Sequence, residues 1–193
     1  RMLEAARKKG FDAVINVPLK GPFTVTRHAC GYWREQGKAG KPVSGRIVNT
    51  TSGAGLYGNI GQANYGPAKA AIASLTQITA MEMQRYGVTA NALSPIAATR
   101  MLAAIGREAG ESGKWDPLDP ANASPVVAWL CSEESGWLSG QVLRVDGNKV
   151  QKVSGWAVSG SYDSASGQAV EAEELSIGLR KLYGAFPVGL GSK

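Results

Sequence analysis

Three side chains near the first third of this chain have the types and spacing needed to move a proton to or from a carbinol: Ser52, Tyr65 and Lys69. Tyr65 follows Ser52 by thirteen positions, and Lys69 follows Tyr65 by four. At i and i+4 on a helix, the tyrosine and the lysine share a face. A tyrosine hydroxyl, with an unperturbed pKa of about 10, is a poor base at neutral pH. A neighbouring ammonium stabilises its phenolate and lowers that value, and a helix N-terminus adds positive potential in the same direction. A serine hydroxyl beside the phenol then holds the substrate oxygen, so that a proton moves there while hydride moves elsewhere. Tyr-x-x-x-Lys alone is common and any exposed helix pair satisfies it. The triple spacing across a glycine-rich link is what makes the pattern specific.

The surrounding elements must place these groups together. Arg46-Ile47-Val48-Asn49-Thr50-Thr51-Ser52 is a short β-branched run between Gly45 and a glycine-rich loop, which is a strand signature. It puts Ser52 at a carboxyl end, the edge where open α/β sheets hold their ligands. The loop from Gly53 to Asn64 leads into a helix predicted from about Tyr65 to Tyr86, with Ala68, Ile72, Leu75 and Ile78 as its apolar stripe and Gly87 as its stop. Residues 11–36 carry apolar positions at helical spacing, but Pro18 and Pro22 argue against an uninterrupted helix.

Val88 to Ser94, closed by Pro95, reads as a second strand, Ala121 to Ser132 as a helix, and Gln141 to Asp146 as a third strand. Strands alternating with helices predict an α/β fold whose parallel sheet is covered on both faces. Residues 96–116 are mixed in character and are expected to be mobile. Beyond Gly147, residues 148–168 are rich in Ser and Gly and read as an irregular connection to a short amphipathic helix, Glu171 to Tyr183, on Leu175, Leu179 and Leu182. The expected division is a catalytic part over residues 1–147 and a C-terminal extension over 148–193, packed on the same domain or on a neighbouring subunit.

The chain has 193 residues, enough for one domain with a real core. No apolar run approaches the roughly 20 residues that span a bilayer, so no membrane helix is expected. Arg1 to Gly10 has no apolar signal-peptide core; it reads as a polar helix or as the start of a chain cut within a domain. A net charge of +6 is spread over scattered Lys and Arg, which points to a solvated surface or an anionic small molecule rather than to nucleic acid. Cys30 and Cys131 have no metal-type spacing and are expected to be buried free thiols in a reducing cytoplasm. The single histidine, His28, falls inside a predicted helix and is not expected to be catalytic.

With these residues in view, the stretch RIVNTTSGAGLYGNIGQANYGPAKAAI (residues 46–72) resembles the active-site region of the short-chain dehydrogenase/reductase family. VTANALSPIAATRM (88–101) is similar to that family's next strand and the loop that covers the nicotinamide, and QVLRVDG (141–147) to its last strand. LYGNIGQANY and SPIAATRM resemble most the hydroxyacyl-CoA dehydrogenase domain of peroxisomal-type multifunctional enzymes, and bacterial relatives acting on acyl-CoA or steroid substrates. The resemblance implies the C-terminal half of a Rossmann-like doubly wound sheet, with NAD or NADP as cofactor. It implies a reaction between a secondary alcohol and a ketone, on a 3-hydroxyacyl-CoA or steroid-like substrate. Tyr65 would be the general acid/base, Lys69 would bind the nicotinamide ribose and lower the tyrosine pKa, and Ser52 would orient the substrate oxygen. Pro95, Ile96 and Thr99 correspond to the loop beside the nicotinamide. Dimers or tetramers would form through the helix before Arg46 and the Tyr65 helix.

Three departures accompany the resemblance. Gly53-Ala54-Gly55-Leu56-Tyr57-Gly58 fits the dinucleotide fingerprint G-x-G-x-x-G, yet no helix is expected to open at its last glycine, and no acid follows where one should contact the ribose. The true fingerprint and the family's first β-α-β-α-β half are not in the sequence, which begins where that half would have just ended. The expected explanation is a longer polypeptide; a second chain supplying that half, or loss of dinucleotide binding, are the alternatives. Finally, Pro18 stands where the family often has a proton-relay asparagine, and Asn16 is two residues away. A catalytically impaired scaffold subunit partnering an active homologue is therefore the competing expectation.

Overall fold

The β-branched run after Gly45 forms strand β1 (Gly45–Thr50), and the next strand, β2 (Val88–Ile96), lies parallel to it. The computed structural model describes residues 8–98 and 114–184. Strand β3 (Val142–Asp146) pairs parallel to β2, and β4 (Lys149–Val153) turns back antiparallel on β3, giving the order β1-β2-β3-β4. Strand β4 corrects the irregular connection expected over residues 148–168. Its turn is Gly147-Asn148, with Gly147 at φ 56°, a conformation that favours glycine at the first central position of a two-residue hairpin loop. Strand β2 also runs two residues further than expected, through Pro95 to Ile96.

Before the sheet, α1 (Lys8–Val14), a π-helical turn (Ile15–Lys20) and α2 (Gly21–Lys38) follow one another without a break. Pro18 sits inside the π turn. A proline in an α-helix removes one hydrogen bond and pushes its ring against the preceding turn; the extra residue of a π turn makes room for it. The chain thus bends its hydrogen-bond ladder there instead of breaking it.

After β1 come the five-residue helix α3 (Gly53–Tyr57) and the long helix α4 (Tyr65–Met83), which tightens into a 3₁₀ turn and stops at Gly87 with φ 74°. Such a left-handed residue just past a helix is the usual glycine stop. Helix α5 (Ser124–Cys131) follows a 3₁₀ turn at Pro120–Ala123.

The two faces of the sheet are covered as the alternation of elements predicts. On one, the fully buried Ala68, Ile72 and Thr76 of α4 meet a sheet surface of small residues that includes Ala90 and Ala92, and Asn49 Nδ2 donates to Thr76 Oγ1 at 3.0 Å. On the other, Leu93 and Val145 pack with Leu130, Val126 and Val127 of α5. Each such aliphatic side chain taken out of water contributes about 1.5–3 kcal/mol. Buried Asn91 ties the loop before β3 to β2, donating to the Leu138 carbonyl at 2.9 Å and accepting from the Gln141 N–H at 3.1 Å. Among the described residues, no helix is long and apolar enough to cross a membrane. The expectation of buried thiols is corrected: Cys131 is exposed and Cys30 is half-buried.

Residues divide into two compact units, Arg1–Val153 and Ser154–Lys193. Within the second, helix α6 (Ala172–Tyr183) opens on a capping box in which the Glu171 and Glu174 side chains satisfy each other's backbone N–H groups. Tyr162 lays its ring where a Cβ at Gly178 would be, 2.6 Å away, and donates to Glu174 Oε2 at 3.1 Å.

Candidate functional site

Ser52 stands where β1 leaves the sheet. The Thr51 N–H still donates to the Leu93 carbonyl at 2.7 Å, but the next ladder bond would need an N–H on residue 95, which is proline. The strand ends there, and Ser52 becomes the N-cap of α3, its Oγ accepting from the Ala54 N–H at 3.3 Å. That is a long hydrogen bond, and the hydroxyl keeps its own proton for another acceptor.

Helix α3 lies against the first turns of α4. A Cβ added at Gly55 would sit 2.5 Å from the Ala70 nitrogen and 2.6 Å from the Lys69 carbonyl carbon, so the two backbones meet only because residue 55 has no side chain. From the other side, Thr51 Oγ1 donates to the Lys69 carbonyl at 2.7 Å. The N-cap of α4 is Asn64, whose Oδ1 accepts from the Tyr65 N–H at 2.8 Å. Tyr65 is thus the first residue of α4, at the positive end of the helix dipole.

Lys69 reaches back along the helix. Its Nζ donates to the Thr50 carbonyl at 2.8 Å and lies 5.7 Å from the centre of the Tyr65 ring, within cation–π range. Partial burial holds this ammonium below the ordinary lysine value. Among the described residues, no hydrogen bond holds the Tyr65 hydroxyl. Ser52, Tyr65 and Lys69 therefore share one corner at the carboxyl end of the sheet, fixed by the α3–α4 contact. Two residues that hold this corner, Thr51 and Asn64, carry no role in the sequence reading, and Gly55 figures there only as part of a G-x-G-x-x-G run. A cap signal at Asn64, just before a long helical pattern, was there to be read.

Pro95 and Ile96 end β2 on the same rim, half-buried and in register with Val145 and Asp146. Thr99, and most of the 96–116 segment, lie outside the described residues. The Ala98 N–H donates to the Leu118 carbonyl at 2.6 Å, which brings together the two ends of that stretch. The Gly53–Gly58 run is no phosphate cradle. It folds as α3, its middle glycine is closed against α4, and Gly58 turns away at φ 76°.

The π turn around Pro18 packs against α4. Pro18 is half-buried and Asn16 is exposed. The Gly21 N–H donates to the Asn16 carbonyl, and residue 22 is a second proline. The Val17 carbonyl is consequently left with no helical N–H partner, and the Pro18 carbonyl lacks its i+4 donor. Elsewhere, a groove of about 1390 Å³ runs between α2 and α4, lined by Phe23, Leu75, Ile78 and Tyr86 among others. It includes exposed His28 and none of Ser52, Tyr65 or Lys69.

The chain is similar to known proteins over most of its length. The family model described as enoyl-(acyl carrier protein) reductase matches residues 1–147. Hydroxyacyl-CoA dehydrogenase ChsB1 of Mycobacterium tuberculosis is 42% identical over 187 residues, covering 95% of this chain and 59% of that protein. The (3R)-3-hydroxyacyl-CoA dehydrogenase of Homo sapiens is 36% identical over 143 residues, covering 71% of this chain and 53% of that protein. A short chain dehydrogenase from Mycobacterium avium, known from its crystal structure, superposes with a TM-score of 0.85 at 45% identity, covering 100% of this chain and 64% of its own. The chain thus spans between 53% and 64% of the length of these relatives. By the match over residues 1–147, and by a sheet and helix order that superposes on a solved member, the chain belongs to the short-chain dehydrogenase/reductase family.

Proposed function

We propose that this protein is a nicotinamide-dependent oxidoreductase that interconverts the secondary alcohol of a 3-hydroxyacyl thioester and the corresponding ketone. One observation carries the reading: the Lys69 ammonium is held between the Thr50 carbonyl and the Tyr65 ring, at the rim where Ser52 leaves the sheet. The hydroxyacyl-CoA dehydrogenase names of the two relatives support the thioester over a steroid alcohol.

A bound nicotinamide supplies the hydride acceptor for oxidation and the donor for reduction. Ser52 donates a hydrogen bond to the substrate oxygen. Tyr65 takes the carbinol proton as the C–H hydride leaves, forming the C=O bond, and returns it in the reverse direction. Lys69 stabilises the phenolate so formed and offers its remaining protons to the ribose hydroxyls. The residues present fit the nicotinamide-ribose end of the cofactor, because Lys69, Tyr65, Pro95 and Ile96 share one rim.

Burial fixes the pH dependence of this arrangement. With the Lys69 ammonium held below its usual value, turnover should fall on the alkaline side at a lower pH than a free lysine would give. The sign for stability is the reverse. Between the folded and unfolded Lys69 values the unfolded chain binds more protons, so the lysine's contribution improves as pH rises through that window. Alkaline rate profiles and urea unfolding of wild type and Lys69→Met check both signs. An alkaline limb that is identical in the two proteins would remove Lys69 from the account.

Assembly is proposed through α2 and α4, which expose Val25 at 71%, Tyr32 at 62% and Met81 at 71%. Large apolar side chains left bare on adjoining helices are what an interface between copies would cover. Light scattering should give a dimer or a tetramer. The competing scaffold role draws on Pro18, and titration of the purified protein with NADH and NADPH, followed by fluorescence, separates the two. Saturable binding supports the enzyme; no binding of either cofactor supports the scaffold.

A further inference from the structure

Arg144 is a charged side chain that the mechanism above leaves unused. It stands on β3 in register with Ser94, one residue beyond the Thr50–Leu93 pair that brings β1 level with β2. Alternation along the strands fixes its direction. Asn49 and Thr51 both bond to α4, and Arg144 falls on that same face, the one that carries Tyr65 and Lys69. Its guanidinium carbon lies 5.8 Å from the centre of the Tyr57 ring, the last residue of the short helix that Ser52 opens. Among the described residues no acid pairs with it, and its Nε is buried with no hydrogen-bond partner.

A half-buried cation without an anion or an acceptor is unfavourable. Such a group is tolerated where a ligand completes it. Two strand spacings, about 10 Å in all, separate the Thr51 and Arg144 backbones. An arginine side chain leaning over the sheet covers much of that distance. An acceptor bound by Arg144 therefore lies on the side of the sheet that carries Tyr65 and Lys69. In a 3-oxoacyl thioester, one methylene separates the ketone and thioester carbonyl groups.

We propose that Arg144, braced by the Tyr57 ring, is the specificity residue that receives the thioester carbonyl oxygen of the substrate. This deepens the thioester reading above and rests on it. The Nε–H is enclosed, so it is the terminal N–H groups of the guanidinium that offer the substrate oxygen their donors and turn the third carbon of the acyl group toward Ser52 and Tyr65.

The test compares acetoacetyl-CoA with its thioether analogue, in which the thioester carbonyl is a methylene, by calorimetric titration of wild type, Arg144→Met and Arg144→Lys. Arg144→Met should weaken acetoacetyl-CoA about tenfold or more and leave the thioether unchanged. Lys should restore part of the loss. Arg144→Met should also melt no lower than wild type, because an unpartnered buried donor is gone. Equal weakening of both ligands, or a lowered melting temperature with no ligand discrimination, would assign Arg144 a structural role and overturn the proposal. No effect on either ligand would overturn it too. If wild type binds neither compound, the thioester reading itself fails, a result distinct from the other two.

Discussion

Tyr65→Phe should lower kcat by about 10²–10⁴-fold, the range that a positioned general acid or base contributes. The melting temperature should stay within a degree or so of wild type. The hydroxyl has no hydrogen-bond partner among the described residues, so its removal strands no donor or acceptor, while the ring keeps its place beside Lys69. That combination separates a chemical role from a structural one. A large loss of turnover with normal folding assigns the proton to Tyr65. Full activity in the variant would mean that another group, or bound water, moves it.

Gly55→Ala should be the most damaging single-methyl change in the site. The new Cβ meets main-chain atoms of Lys69 and Ala70 at 2.5–2.6 Å, where no flexible side chain can move aside. Helix α3 must lift away from α4, which displaces Ser52 and the Thr51–Lys69 hydrogen bond together. Overpacking of this kind costs about 1–3 kcal/mol, or several degrees of Tm in a domain of this size. A misplacement of about 1 Å can cost about a hundredfold in rate. Gly53→Ala, in the same helix, is the internal control. Its Cβ would find nothing closer than Tyr57 Cδ2 at 3.9 Å, so it should be nearly neutral. Equal effects of the two substitutions would show that the α3–α4 contact does not set the geometry.

Ser52, Tyr65 and Lys69 were legible because chemistry of this kind needs three side-chain types at a spacing that a strand, a glycine-rich link and a helix impose. The parallel sheet followed from alternating element types. What held the corner together was harder to see. Gly55 looked like part of a dinucleotide fingerprint, because glycine is required both where a phosphate approaches and where two backbones touch; only the fold tells these apart. The end of β1 is set by Pro95, forty-three positions after Ser52 in the sequence, through a ladder bond that cannot form. Such a long-range cause leaves no local mark.

Strand β4, by contrast, has a local mark. Gly147-Asn148, between two runs of alternating residues, is a hairpin signal, and the Ser- and Gly-rich stretch after it masked it. Pro18 also changed meaning. From the sequence it removed a relay side chain; in the fold it sits in a π turn whose neighbouring carbonyls lack helical donors. Acceptors remain at that place although the asparagine does not. Arg144 drew no notice in the sequence, because an arginine in a strand is ordinary until its buried Nε is found without a partner.

The central claim is that the Ser52, Tyr65 and Lys69 corner performs a dehydrogenation. Its most direct test is the absorbance of reduced nicotinamide after (R)-3-hydroxybutyryl-CoA and NAD⁺ or NADP⁺ are mixed with the purified protein. The account predicts steady formation of one reduced cofactor per ketone produced with at least one of the two, lost when Tyr65 is replaced by phenylalanine. A folded protein that forms none with either cofactor would contradict it.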